Sequence, residues 1–209
     1  MSFLKKLLGT RASREPVALD VDGGVAAPAT GPGTPPLEER EPPIEAASIE
    51  DILCVEETAT AEFFVGDLFR RRFGGAPPDY PRHFVAFYRA GRALYWPLGY
   101  VHYTAFEDTF LCGGMVMDDR LYRRIPGAHR QLIKQAGGVA ERLLQETFAR
   151  LAHAPAIWGY VGDRQAEAVD VRVGFRHTHH RHVMVVWNRD LPDAEKEARL
   201  ARVIALGPF

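Results

Sequence analysis

A short glycine-containing stretch carries the clearest chemical signal in the sequence. Residues 135–140 read Gln-Ala-Gly-Gly-Val-Ala and lead directly into an apolar pattern of helical spacing that runs from Val139 to Leu151. The start of a helix offers backbone N–H groups without internal partners and a partial positive charge, and glycine lets an anion approach that backbone closely. The stretch therefore predicts a phosphate-binding turn, although a Gly-Gly pair taken alone indicates only an ordinary helix start.

The elements on either side of this turn are those that must position it. Three runs rich in Val, Phe, Tyr, Trp and Thr precede it and predict an antiparallel meander: His83 to Arg89, Ala93 to Phe106 and Thr109 to Met117. After the turn, the pattern alternates between helix and strand over residues 138–151, 156–162, 163–173 and 176–187. A meander followed by helix-strand-helix-strand predicts an α/β (α+β) domain with a mixed central sheet.

Two motifs in this order of elements resemble the GCN5-related N-acetyltransferase (GNAT) superfamily. Its members bind the pyrophosphate of an acyl-coenzyme A with a Q/R-x-x-G-x-G/A motif, which Gln135, Gly138 and Ala140 match. Gly174 and Phe175 match the usual junction into the sixth strand of that fold. The resemblance covers roughly residues 49–190 and implies a GNAT-like sheet, with acetyl-CoA as the acyl donor to an amine.

The resemblance also implies which residues hold the cofactor. Backbone N–H groups of the turn would bind the pyrophosphate, and the residues concerned are Gln135, Ala136, Gly137, Gly138, Val139 and Ala140. The preceding strand end, Met115-Val116-Met117, would correspond to a splayed fourth strand whose free backbone groups pair with the pantetheine arm. The thioester would then lie at the end of this strand.

A base must take the proton of the acceptor amine. We expect Glu107, in the turn after the second strand of the meander, because a base of the superfamily often lies near this hairpin. Asp108, Asp118 and Asp119 are weaker candidates, since exposed turn and cap carboxylates need no function.

The acid for the leaving thiolate is where the sequence departs from the superfamily. Many members place Tyr four residues before the glycine of the Gly-Phe pair, and this chain has Asp170 there. An aspartate of ordinary pKa is ionised at neutral pH and would repel a thiolate. We therefore expect Asp170 to be a surface residue, with Tyr160, Tyr122 or water as the acid.

Residues 118–134 are a second departure, because the superfamily passes from its fourth strand to the phosphate loop with far fewer residues. The segment is charged, helix-prone and broken by Pro126-Gly127, which predicts an added helix over the site.

The chain divides into three parts. Phe3, Leu4, Leu7 and Leu8 share one side of a short amphipathic helix over residues 1–8, which predicts contact with a protein partner or a membrane surface. Residues 9–47, rich in Pro, Gly and Ala, predict a disordered linker. Residues 48–209 then form the GNAT-like domain.

Composition and charge argue against nucleic-acid binding, a membrane span and a nucleophilic cysteine. The net charge of −1 does not favour a nucleic-acid partner, and no run is long enough for a membrane span. Two separate cysteines, Cys54 and Cys112, fit a reducing cytoplasm, and a nucleophilic Cys112–His102 pair is not favoured.

Four histidines between Arg176 and Trp187 raise the question of a metal. Strand alternation would divide them between two faces, leaving too few ligands for a structural zinc site, so we expect no metal: they are His177, His179, His180 and His182.

Two functions remain. The chain is predicted to be a cytoplasmic acyltransferase acting on a small-molecule or peptide amine, by direct attack on the thioester. The alternative is a GNAT-like module without catalysis that binds or assembles partners, which the missing Tyr favours. Four aromatic residues would line an acceptor cleft or belong to the core: Tyr80, Tyr95, Trp96 and Tyr103.

Overall fold

The computed structural model of the chain describes residues 44–209, so the predictions for residues 1–43 lie outside the described residues. Residues 44–47, which the sequence assigns to the linker, contribute to the described fold. Ile44 and Ala46 pack against the main core, and the backbone carbonyl of Ile44 lies 3.0 Å from Nε2 of His129. A 3-10 turn at Ile49–Asp51 then leads into the first strand.

Eight strands form a single mixed sheet with the order β1-β2-β3-β4-β6-β8-β7, and β5 pairs with β3 outside this path. Their bounds are β1 Leu53–Thr58, β2 Arg82–Arg89, β3 Tyr95–Phe106, β4 Thr109–Cys112, β5 Val116–Met117, β6 Ala156–Tyr160, β7 Arg176–His177 and β8 Val183–Trp187. The β4–β6 pair is parallel, and the other pairs are antiparallel. The predicted meander and mixed α+β sheet are confirmed.

Within residues 44–209, six helices cover the two faces of this sheet. Their bounds are α1 Ala61–Phe73, α2 Asp119–Arg124, α3 Gly127–Gln135, α4 Val139–Leu151, α5 Arg164–Arg172 and α6 Asp193–Leu206. One face carries α1, which packs on Val85 and Tyr100, and α6, which packs beside Trp158. The other face carries the main core, in which the buried stripe of α4 lies against β1, β2 and β3. We call these the α1 face and the α4 face.

The added segment 118–134 forms two helices that separate at Pro126, as the sequence indicates. Asp118 caps α2 by accepting hydrogen bonds from the N–H groups of Arg120 and Leu121. Ile125 and Ile133 are buried in the main core, so this segment covers part of the α4 face. It ends directly at the glycine turn that begins α4.

The last predicted strand is wrong in its extent, because residues 176–187 form a hairpin. Only β7 and β8 are strands, and Thr178 organises the intervening turn through bonds from its hydroxyl to the carbonyls of His180 and Val183. Because His179, His180 and His182 lie in this turn, the strand alternation predicted for them does not apply.

Among residues 44–209, no helix has the length and apolar character required to cross a bilayer.

Candidate functional site

Strands β4 and β6 run side by side and then separate, which opens the sheet at one end. Their parallel pairing covers Phe110 to Cys112 on β4 and stops at the Cys112–Gly159 pair. Beyond it, two residues of β3, Val101 and His102, lie opposite three residues, 113–115, before pairing resumes with β5. Such a two-against-three mismatch is a β-bulge, which bends the strand that carries the additional residue. The predicted strand over 109–117 is therefore interrupted at 113–115.

The bulge leaves part of a strand without a neighbour. Within the described sheet, β5 pairs only with β3, so the β6 side of Met115, Val116 and Met117 has no strand beside it. Backbone groups on such an edge can pair with an extended ligand in the manner of an added strand. These three residues are those that the sequence assigns to a pantetheine arm.

The glycine turn has the backbone that its composition predicts. Gly137 and Gly138 have φ values of +91° and +99°, a region that residues with a side chain rarely adopt. Gly138 is the N-cap residue of α4, and no side chain caps this helix start. The first N–H groups of α4 therefore face outward from a turn in which a Cβ at Gly138 would meet open space.

The two predicted cofactor segments meet in the structure. A Cβ at Gly99 would lie 2.7 Å from Sδ of Met117 and 3.3 Å from Cγ1 of Val139. The start of α4 therefore packs against the end of β5, and Gly99 of β3 leaves the room that both side chains need. This contact brings the uncapped helix start to the open edge of the sheet.

Two charged side chains lie over the glycine turn. The carboxylate of Glu141 occupies the space beside Gly137, where a Cβ would come within 2.5 Å of it. An ion pair of 2.9 Å joins this carboxylate to Nε of Arg172 on α5. An anion that entered the turn would thus approach both a carboxylate and a guanidinium.

Asp170 is buried, contrary to the expectation of a surface residue. It is 8% exposed and is the one buried residue of α5. Burial raises the pKa of Asp170 to about 6, with a smaller contribution from Glu167. Within residues 44–209, the structure shows no hydrogen bond to its carboxylate.

The neighbours of Asp170 place it at the open end of the sheet on the α4 face. Burial, followed by the charge of Asp170, raises the pKa of the Cys112 thiol to about 12, and Cys112 is the last residue of β4. Tyr103, opposite Cys112 on β3, is fully buried and bonds to Thr147 at 2.6 Å. Cys112 is therefore a protonated thiol at neutral pH, in agreement with the sequence interpretation.

The α1 face carries a chain of three hydrogen-bonding side chains beside the bulge. Nδ1 of His83 lies 2.7 Å from the Tyr100 hydroxyl, which lies 3.3 Å from Nδ1 of His102. Nε2 of His102 accepts a hydrogen bond of 3.2 Å from the N–H of Gly114, and its carbonyl accepts one of 2.9 Å from Gly113. His102 therefore satisfies both glycine N–H groups of the bulge.

Glu107 lies at the far end of β4 from the bulge. It occupies the predicted turn between β3 and β4 with a φ of +55°, and its carboxylate pairs with Arg202 of α6 at 3.0 Å. A cavity of about 360 Å³ adjoins it, lined also by Asp108, Phe110 and His153. The structure therefore does not bring Glu107 together with the cofactor residues, and its role as a base stays a prediction.

Two of the other candidate carboxylates, Asp108 and Asp118, have structural partners. Asp108 pairs with Arg199 on α6, and the capping carboxylate of Asp118 pairs with Arg71 of α1 at 3.1 Å. Both interactions account for these residues without catalysis.

The structure also shows where the candidate acids lie and whether side chains converge on a metal site. Tyr160 ends β6 and its ring lies 5.5 Å from that of His182, whereas Tyr122 packs against the main core on α2. Across residues 44–209, no cluster of three His, Cys, Asp or Glu side chains is arranged to hold a metal ion.

The four aromatic residues offered for an acceptor cleft do not form one group. Tyr80 and Tyr95 are exposed, Tyr103 is fully buried, and Trp96 packs under the Arg124 guanidinium at 4.9 Å.

Sequence reasoning missed His102 as a candidate base and misjudged Asp170. The adjacent glycines 113 and 114 were a usable signal, because a Cβ at Gly113 would clash with Nε2 of His102. Glycines opposite a histidine in a meander indicate a ring that lies across the neighbouring strand.

The chain is similar to solved acetyltransferase structures. One is the ribosomal-protein-S18-alanine N-acetyltransferase from Escherichia coli, at 11% identity and a TM-score of 0.40, covering 68% of this chain and 97% of that one. Another is an acetyltransferase of the GNAT family from Staphylococcus aureus Mu50, at 11% identity and 0.39, covering 66% and 99%. A third is a KacTA–DNA complex, at 13% and 0.39, covering 71% and 99%. No family model and no curated protein matches the chain.

The expected absence of a nucleic-acid partner stays a prediction. Two motifs, the splayed sheet and the uncapped helix start agree with the resemblance drawn from the sequence. At 11–13% identity, the likeness of the chain to these solved structures is one of fold.

Proposed function

We propose that the protein transfers an acetyl group from acetyl-CoA to an amine. The observation that carries this proposal is the meeting of an uncapped helix start with a splayed strand at Gly99, where the side chains of Met117 and Val139 converge. The helix start suits a pyrophosphate, and the free edge of 115–117 suits an extended amide-bearing arm. The nine residues named for the cofactor, 115–117 and 135–140, form one continuous surface in this proposal.

The chemistry then requires an amine held against the thioester. The amine nitrogen attacks the carbonyl carbon, the C–S bond breaks, and the leaving thiolate takes a proton. We assign this proton to Asp170, since its buried carboxyl has a pKa of about 6 and lies beside the end of β4. A protonated carboxyl removes the objection that an ionised aspartate would repel the thiolate.

The acceptor is a small-molecule or peptide amine, and we place the reaction in the cytoplasm. Two free thiols, Cys54 and Cys112, accord with a reducing compartment.

The test uses a charge placed in the turn without straining it. Gly138→Glu would confound binding with folding, because a side chain at a φ of +99° is strained. Ala140→Asp avoids this problem: Ala140 lies in the first turn of α4, where a carboxylate favours the helix but repels a pyrophosphate. Ala140→Asn has the same shape without the charge and serves as the control.

Calorimetric titration of acetyl-CoA into the full-length protein measures the effect. We expect micromolar binding by the wild type, at least a tenfold loss in Ala140→Asp and a small change in Ala140→Asn. Titration of pantetheine, which lacks the pyrophosphate, should not distinguish the two variants. A folded wild type that binds no acetyl-CoA would end the acetyltransferase proposal.

One observation favours the alternative of a binding module. On α1 and the loop after it, Phe63, Phe73 and Tyr80 are exposed by 83%, 47% and 79%. Exposed aromatic groups are common at protein interfaces. If acetyl-CoA does not bind, this surface is the first place to look for a partner.

A further inference from the structure

We propose that His102 is the base that takes the proton from the acceptor amine, and that Tyr100 and His83 carry this proton away from the site. This inference rests on the proposed function and names the base that it lacks. It is supported by the arrangement of side chains on the α1 face, from the bulge to His83.

The position of His102 fits a base. It lies on β3 directly opposite the bulge, and its ring extends over Gly113, where any side chain would clash with Nε2. The last β4–β6 pair is Cys112–Gly159, so Gly113 and Tyr160 are the next residues on the two strands. His102, Gly113 and Tyr160 thus form one row at the point where β4 and β6 separate.

The hydrogen bonds fix where the protons are. The backbone N–H of Gly114 can only donate, so Nε2 of His102 is an acceptor and the neutral ring carries its proton on Nδ1. That Nδ1–H points to the Tyr100 oxygen, and the Tyr100 O–H is then free to donate to Nδ1 of His83. The protons of His102 and Tyr100 therefore both point from the bulge toward His83, whose Nδ1 accepts.

Burial keeps this chain neutral in the resting state. The pKa of His102 is lowered to about 4 by burial and by the neighbouring His83, and burial raises the pKa of Tyr100. Burial also lowers the pKa of His83, while the charge of Asp79 opposes that effect. His83 is thus the member of the chain that has a carboxylate near it to stabilise a positive charge.

The proton transfer balances without any additional reagent. The amine releases its proton to Nε2 of His102, in place of the long bond from Gly114. His102 passes its Nδ1 proton to the Tyr100 oxygen, and Tyr100 passes its own proton to Nδ1 of His83. His83 becomes an imidazolium near Asp79, His102 ends neutral with its proton on Nε2, and the amine nitrogen forms the amide bond as the C–S bond breaks.

Two variants separate this role from simple support of the bulge. His102→Gln keeps an oxygen that can accept the Gly114 N–H but cannot relay a proton. Tyr100→Phe keeps His102 and the ring packing against Phe69 but removes the hydroxyl from the chain. The assay follows thiol release from acetyl-CoA with n-butylamine as the acceptor, and calorimetry with acetyl-CoA serves as the binding control.

We expect His102→Gln to slow thiol release about 100-fold or more, and Tyr100→Phe about tenfold or more, with acetyl-CoA affinity within threefold of wild type. Nitrogen NMR of the wild type should show neutral His102 protonated on Nδ1 at pH 7. Either variant turning over at the wild-type rate, or a wild-type His102 protonated on Nε2, overturns the proposal.

Two further outcomes are decisive. A wild type that binds acetyl-CoA but accelerates thiol release to neither butylamine nor water also overturns the relay, since a preformed base should act on both. Failure of the wild type to bind acetyl-CoA overturns the proposed function instead, while the NMR result still reports on the direction of the proton chain.

Discussion

Each face of the sheet buries one titratable group at the same bulge, and the pKa values of the two groups are shifted in opposite directions. On the α1 face, His102 has a partner for each ring nitrogen and a lowered pKa of about 4. On the α4 face, Asp170 has no hydrogen bond to its carboxylate from the described residues and a raised pKa of about 6. Burial disfavours the charged form of both groups, so His102 is neutral at pH 7 and Asp170 keeps a protonated fraction that an aspartate of ordinary pKa lacks.

This contrast assigns different chemical roles. A neutral imidazole can accept a proton, and a neutral carboxyl can donate one. Pairs of groups whose environments push their pKa values apart are a common arrangement for acid and base catalysis. In the proposed function the thioester would lie where β4 and β6 separate, between these two groups, one on each face.

On the α4 face, the largest expected effect comes from removing the acid. Asp170→Asn keeps the shape of the side chain but has no proton to give, so we expect thiol release to fall about 100-fold. Glu167→Gln is the control on the same helix: this half-exposed carboxylate pairs with His177 at 3.5 Å and makes only the smaller contribution to the raised pKa of Asp170. The same thiol-release assay measures both variants at saturating acetyl-CoA.

Expressed per neutral amine, the wild-type rate of release should also decline as the pH rises above about 6, because the protonated fraction of Asp170 falls. This decline should be absent in Asp170→Asn. If Asp170→Asn works at the wild-type rate, water supplies the proton and the contrast between the faces has no catalytic meaning.

The second prediction concerns stability, where the two groups act with opposite sign. The folded pKa of Asp170 is above its ordinary value of 3.8, so the folded state binds more protons between pH 4 and 6 and stability falls as the pH rises. The folded pKa of His102 is below its ordinary value of 6.5, so the unfolded state binds more protons and stability rises over pH 4 to 6.5. Each effect amounts to about 3 kcal/mol.

In the wild type, the opposite dependences of stability on pH from Asp170 and His102 cancel. A variant that removes one of the two groups should therefore reveal the other. We compare the free energy of unfolding of each variant with that of the wild type. This difference should be about 3 kcal/mol more favourable to Asp170→Asn at pH 7 than at pH 4, and about 3 kcal/mol more favourable to His102→Gln at pH 4 than at pH 7. Urea unfolding at the two pH values measures this, and the difference between pH values cancels any constant cost of the substitution. Parallel pH profiles for all three proteins would show that the groups are not held neutral.

Most of the fold could be predicted from the sequence because its signals are local. The apolar spacing from Val139 to Leu151 defines α4, and the β-branched and aromatic runs define β2, β3 and β4. The turn at Gly137 and Gly138 was identifiable for the same reason, since only glycine suits its backbone. Pro126 likewise marked the break between α2 and α3.

What the sequence could not supply is which side chains meet across the sheet. The burial of Asp170 depends on how α5 packs beside β4, and no helical pattern marks a carboxylate as the one buried residue. The chain from His83 to His102 depends on the register of β2 against β3, which pairs these two residues directly. Local patterns contain neither kind of information.

The smallest expected effect tests the base that the sequence favoured. Glu107 lies in the turn before β4, seven residues before Gly114, and strand geometry of about 3.3 Å per residue puts roughly 20 Å between them. Its carboxylate pairs with Arg202 on the surface, where a single ion pair contributes about 0 to 1 kcal/mol. We therefore expect Glu107→Gln to change thiol release by less than threefold and to lower stability slightly.

Glu107→Gln and His102→Gln, measured side by side in the thiol-release assay, compare the two candidate bases directly. Both substitutions leave an amide, so neither creates a cavity, and they differ in distance from the bulge. A large loss in Glu107→Gln with a normal His102→Gln would place the amine at the far end of β4, beside the 360 Å³ cavity that Glu107 lines. The acceptor would then reach the thioester along β4, and the row formed by His102, Gly113 and Tyr160 would have only a structural role.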